Sequence, residues 1–149
     1  MYYDISTRIK EELDKDPFVN TVTIGDIFKV DLNKQTIFPL SHIIINSSSY
    51  IGSTKQYNVS ILCMDIVDES KEATEDIFRG NDNEQDVLNT QEAVATRFLE
   101  SARRGDLADD LYELGGTASI EYFVDRFENK IAGVTMTFDL ITYNDMTIC

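Results

Sequence analysis

The sequence predicts an α+β fold, in which helices pack on an antiparallel or mixed β-sheet and residues 1–149 make a single domain. Three observations carry that expectation. Apolar residues recur at helical spacing in two separated stretches, one near the N-terminus and one after residue 86. Runs that alternate with period two lie between them. The last third then holds two long alternating runs in succession, TASIEYFVDRF and VTMTFDLITY, joined by ENKIAG. The order is helix, several strands, helix, closing strand pair, with no internal repeat, low-complexity tract or linker to divide it.

Ile5, Ile9 and Leu13 recur every four residues among charged and hydroxyl side chains, which predicts an amphipathic helix ending before Pro17. FVNTVTI reads as a strand rich in β-branched residues. Gly25 and Asp26 signal a turn into a second short strand, IFKVDLN, so a hairpin is expected. Pro39 has no N–H to offer a ladder and belongs at a strand start, an edge or a bulge. HIIIN, behind it, is apolar on both faces. The Ser- and Gly-rich stretch 46–56, NSSSYIGSTKQ, is expected to be a long mobile connection. It leads into QYNVSILCMDIV, where Val59, Ile61 and Cys63 alternate with Asn58, Ser60 and Leu62.

Residues 65–86 are densely acidic, relieved only by Lys71 and Arg79, a pattern that usually marks a solvated face. Val87, Ala95, Phe98, Leu99 and Ala102 then form the stripe of a second helix. It ends near Arg104, where RRG joins positive charge to a glycine suited to a left-handed cap. DLADDLYELGG reads as a short helical turn closed by Gly115 and Gly116. In the closing pair Val134, Met136, Phe138 and Leu140 share the core face, with Ile120, Tyr122 and Val124 as cross-strand company. Thr135, Thr137, Asp139 and Tyr143 take the other face, and Ile141 breaks the rule.

The 27 acidic and 13 basic residues leave a formal charge of −14, which opposes any grip on a nucleic-acid backbone, since that grip comes from Lys and Arg releasing counterions. The N-terminal stretch carries charges throughout and no apolar run is long enough to span a bilayer. Neither a signal peptide, an anchor nor a membrane association is expected, and a reducing cytoplasm is the expected place of synthesis. Cys63 then reads as a small buried hydrophobe and Cys149 as an exposed thiol. The single histidine, His42, precedes three isoleucines and has no strained nucleophile turn to serve, so partial burial with a local hydrogen bond is its expected role. Two Cys and one His at scattered positions lack zinc spacing, and Asp82, Glu84 and Asp86 open like a calcium loop whose glycine and distal glutamate are missing. The glycines form no phosphate cradle. The sequence thus argues for no catalytic residue, no metal and no cofactor, and against an enzyme.

An amphipathic first helix, the stretch GDIFKVDLNKQTIFPLSHIII, the run YNVSILCMDIVDESKEATED with its acidic exit, a central helix and the last strand GVTMTFDLITYND together resemble the tail terminator and tail-completion proteins of tailed bacteriophages. The resemblance spans most of the chain and rests on alternation patterns and one proline. It implies a tail-terminator-like α/β or α+β sandwich. The implied function is a ring at the virion neck or tail that joins the capsid portal to the tail and surrounds the DNA channel. Its implied partners are copies of itself in a hexamer or dodecamer, together with neighbouring neck, portal or tail proteins; its implied location is the virion. The alternative from another class is a soluble, acidic cytoplasmic adaptor or binding module without catalytic activity; a hydrolase using His42 with a nearby carboxylate ranks third.

Two groups of side chains are candidates for such assembly. Tyr50 lies within the stretch 46–56 and Tyr57 starts the strand after it, and tyrosine is a favoured anchor at interfaces. Asp65, Asp68, Glu69, Glu72, Glu75 and Asp76 are expected to face either the central channel or a basic patch on a neighbouring ring.

Overall fold

Ile5, Ile9 and Leu13 line up along one side of helix α1 (Tyr2–Asp14) and all three are buried, so the four-residue spacing has become a packing stripe. The computed structural model describes residues 2–30, 34–68, 77–78, 80, 82–126 and 130–143. After α1 come strand β1 (Thr21–Ile24), 3-10 turns at Ile27–Lys29 and Gln35–Ile37, and strands β2 (Leu40–Ile51) and β3 (Thr54–Ile66). Helix α2 (Glu84–Arg104), a one-turn helix α3 (Asp106–Asp109) and strands β4 (Glu113–Arg126) and β5 (Lys130–Tyr143) complete the α+β fold. The strands form one mixed sheet in the order β1-β2-β3-β5-β4, in which only the β1–β2 pair is parallel.

α1 and α2 lie on one face of this sheet. Ile5, Ile9 and Leu13 of α1 and Val94, Ala95, Phe98 and Ala102 of α2 meet Val59, Ile61 and Cys63 of β3 and Val134, Met136, Phe138 and Leu140 of β5 in the main core. The face expected for β5 is therefore the buried one. Phe98 and Phe138 stand with ring centroids 5.4 Å apart and planes at 46°, a tilted aromatic contact between helix and sheet. Gly133 of β5 leaves no room for a side chain against β3, since a Cβ there would run into the carbonyl of Cys63 and the backbone of Met64.

Among the described residues the expected hairpin of TVTI with IFKVDLN does not form, and Asp31, Leu32 and Asn33 lie outside them. Gly25 turns the chain at a φ of 102°, but Ile27–Lys29 coil into a 3-10 turn and β1 pairs instead with β2, Thr21 opposite Leu40. The reason is burial: Ile27, Val30, Ile37 and Phe38 cover Leu40, Met64 and Ile131 on the sheet face away from the helices, a second core that an isolated hairpin would leave in water. Pro39 sits just before β2, at a strand start.

The stretch 46–56 is not the long connection expected but mostly strand, with only Gly52 and Ser53 at the hairpin turn and Gly52 at a φ of 57°. β5 accounts for this, because it pairs with β3 out to Thr54 opposite Tyr143 and so templates the outer half of the ladder. Asn46 is an extra residue between the Ile45–Val59 and Ser47–Asn58 pairs, a bulge that switches the side chains of β2 to opposite faces.

The caps differ too. Gly105 ends α2 at φ −116°, outside the left-handed region, while its N–H donates to the Ser101 carbonyl at 3.0 Å. The left-handed residue is Leu111, at φ 67°. Its N–H donates to Ala108 O at 3.1 Å, and the following Tyr112 N–H donates to Leu107 O at 2.9 Å. Gly115 and Gly116 close no helix; they lie within β4, beside an irregularity between the Gly115–Asp139 and Ser119–Thr137 pairs.

Candidate assembly surface

The sheet is open at both ends. Along β1, Thr21 N–H donates to Pro39 O at 3.2 Å and Gly25 N–H to Ile43 O at 3.0 Å, so the alternate residues Val22 and Ile24 turn their N–H and C=O groups outward. Along the far edge the 14 residues of β4 pair only with β5, and among the described residues no strand covers the outer side of either edge. Both edges show apolar side chains on the helix-bearing face. Ile24 is 44% exposed, Tyr122 57% and Val124 40%. The cross-strand positions expected for Tyr122 and Val124 hold, opposite Val134 and Ala132, yet both side chains stay in water because β4 is an edge. The Tyr122 hydroxyl donates to Glu92 Oε1 of α2 at 2.7 Å, which pushes its own pKa up. Beside the β1 edge a cavity of about 210 Å³ opens between α1 and β1, lined by Ser6, Thr7, Lys10, Val22, Ile24 and Ile43.

Among the described residues, those singled out from sequence do not gather into one site. Tyr50 is 68% exposed on the hairpin next to its turn. Tyr57, by contrast, is only 3% exposed and belongs to the main core, with Lys55 Nζ lying 5.7 Å from its ring centroid. Its ring faces inward because β3 turns its odd-numbered side chains toward the helices, and Tyr57 begins that row. Asp65 lies toward the other end of β3, ten residues beyond Lys55 and so about 33 Å away at roughly 3.3 Å per residue. Burial pushes its carboxyl pKa up, against a hydrogen bond from the Ile66 N–H at 2.8 Å, and nearby Asp68 pushes the same way as burial. Asp68 is exposed, and its backbone N–H donates to Asn83 Oδ1 at 2.6 Å. Glu69, Glu72, Glu75 and Asp76 lie outside the described residues.

His42 is fully buried rather than partly so, and it ties β1 to β2. The Gly25 carbonyl, 2.7 Å from Nε2, can only accept, so Nε2 carries the proton and Nδ1 accepts from the Thr23 hydroxyl at 2.7 Å. Burial lowers the His42 pKa, opposed by the Gly25 carbonyl and the charge of Asp26. This neutral, doubly bonded ring is a structural strut. Cys63 is free and buried, and burial pushes its thiol up to about 12, far from the thiolate a nucleophile needs. Among the described residues no group of three or more His, Cys, Asp or Glu side chains is placed to hold a metal ion. No helix among them is long and apolar enough to cross a membrane.

On the face away from the helices, toward the hairpin turn, the sheet carries a hydrogen-bonded polar lattice. Asn46 Nδ2 donates to Asn58 Oδ1 at 2.9 Å and to Ser60 Oγ at 3.0 Å, and Asn58 Nδ2 donates to Asp139 Oδ1 at 3.0 Å. Ser60 and Thr137 share a 3.1 Å bond.

No protein-family model matches the chain, and no curated protein matches it.

Proposed function

We propose that this protein is a structural ring subunit of a tailed-bacteriophage virion, set at the neck or tail as a tail terminator or head-to-tail connector between portal and tail. The observation that carries the reading is a sheet left open at two unlike edges, a four-residue strand on one side and a 14-residue strand on the other. Unlike edges favour head-to-tail association, and head-to-tail contacts close into a ring when the rotation per subunit divides a full turn. The charge of −14 suits a ring through which DNA passes, because a lumen rich in Lys and Arg would hold the phosphates it has to conduct. Tyr50, on the exposed hairpin, and the acids Asp65 and Asp68, at the other end of β3, are then contacts with the neighbours along the virion axis or with the channel.

Native mass measurement of the purified chain, alone at the highest attainable concentration and with its neighbouring virion proteins, tests this. A closed hexamer or dodecamer is the expected result. A strict monomer under both conditions refutes the ring and leaves the adaptor reading.

A further inference from the structure

Resting on that ring reading, we propose that the subunits join through a continuous sheet. The outer edge of β4 in one copy pairs antiparallel with the outer edge of β1 in the next, and Tyr122 or Val124 enters the cavity between α1 and β1. Strand directions lead to this pairing. β1, β2 and β5 run one way and β3 and β4 the other, so copies placed side by side with their helices on the same face bring β4 against β1 in opposite directions. An antiparallel ladder then needs no turning of the subunit. Val22 and Ile24 already point N–H and C=O groups outward, and main-chain groups of this kind are best met by another extended strand.

Side chains match as the backbones do. Tyr122 and Val124 are exposed on the helix-bearing face of β4, and the cavity of about 210 Å³ opens on that same face beside β1, with Val22 and Ile43 among its walls. Charge separates this pairing from the alternative, in which two β4 edges meet about a two-fold axis. β4 carries Glu113 and Glu121 on one face, so two such edges would bring like charges together, whereas β1, Thr-Val-Thr-Ile, carries no charge. The ladder is short, four residues on the β1 side, and ring closure lets each weak contact reinforce the others.

The test uses two variants that each block one edge and leave the fold intact, as circular dichroism and thermal melting would verify. Ile24→Pro removes an outward N–H that no strand among the described residues uses, and Val124→Lys places a charge on exposed β4. Each variant alone should be unable to close a ring in native mass measurement, and an equal mixture of the two should stop at a heterodimer, since only one good β1 edge and one good β4 edge remain between them. Rings that survive both substitutions overturn this interface and leave the ring reading standing. Loss of assembly with Val124→Lys but not with Ile24→Pro overturns it in favour of β4 meeting β4. A wild-type chain that is monomeric even with its neighbours present removes the ring reading and this inference together.

Discussion

Replacing Phe138 with alanine tests whether the main core is closed where α2 crosses the sheet. The ring is 1% exposed, lies on the helix-bearing face of β5 and meets Phe98 at 5.4 Å. Returning such a side chain to water forfeits about 1.5–3 kcal/mol of transfer free energy. Losing the tilted ring pair adds about 0.5–1.5 kcal/mol. The void left between two rigid layers brings the expected cost to about 3–5 kcal/mol, the range typical of large-to-small aromatic substitutions. In a chain of 149 residues each kcal/mol moves the melting temperature by about 2–4 °C, so a fall on the order of 10 °C is expected. Urea unfolding followed by far-ultraviolet circular dichroism reads it, with an unchanged denaturant slope showing that the unfolded state is not the cause. A loss below about 1 kcal/mol would refute the reasoning, because a truly enclosed Phe cannot be truncated so cheaply.

Four other outcomes follow from single features. Leu111→Gly should stabilise the protein by about 0.5–1 kcal/mol in the same urea assay, since an L-residue held at φ 67° costs about 1–2 kcal/mol and part of the gain is lost to the freer unfolded chain. Gly133→Ala should cost about 1–3 kcal/mol or more, because the added methyl meets β3 backbone and not a side chain that can swing away; a neutral result would show that β3 and β5 can separate locally. The His42 pKa is lowered from its ordinary 6.5, so the unfolded state takes up the proton first: stability is fully present above pH 6.5 and falls as pH drops through 6.5 toward the lower folded value. His42→Gln should flatten that part of the stability curve as pH falls through 6.5, and a curve identical to wild type would mean the ring is not shielded. Tyr50→Ala should change stability by less than about 0.5 kcal/mol yet weaken assembly on native mass measurement; unaltered rings and particles would show the hairpin tip to be only a connection.

The elements legible in the sequence are those whose partner is a large apolar surface. Ile5, Ile9 and Leu13 could be read as a helix, and Val134 through Leu140 as a half-buried strand, because one side of each faces a core and the other faces water. Residues 46–51 carried no such mark. Beyond the Asn46 bulge most side chains are small and polar and all are exposed, so the strand there is held by main-chain pairing that leaves no pattern in composition. Tyr50 and Tyr57 look alike in sequence, and only the sheet register puts one in water and the other under the helices. The parallel partner of β1 was hidden for the same reason: Thr21–Ile24 is a good strand beside any neighbour, and its choice of β2 follows from where Ile27, Ile37 and Phe38 find apolar cover. The edges that make the candidate surface depend on the strand order β3-β5-β4, which no local spacing records.

Because Ile27, Val30, Ile37 and Phe38 cover only one end of the sheet, stiffness is graded along it. Around Leu40, Met64 and Ile131 both faces are clothed, whereas toward Gly52 the ladder of β2, β3 and β5 has polar lattice and solvent on the face away from the helices. A pull or push delivered at the hairpin along its strands would load the main-chain hydrogen bonds of three strands in shear, all at once, and would reach the two-sided base before any helix had to move. Local opening should therefore begin at the turn and die out inward, where apolar contacts on both faces raise its free energy. A subunit built in this way is a compliant finger on a rigid block, and in the proposed ring the finger would settle against an imperfectly matched neighbour without disturbing the β1 and β4 edges.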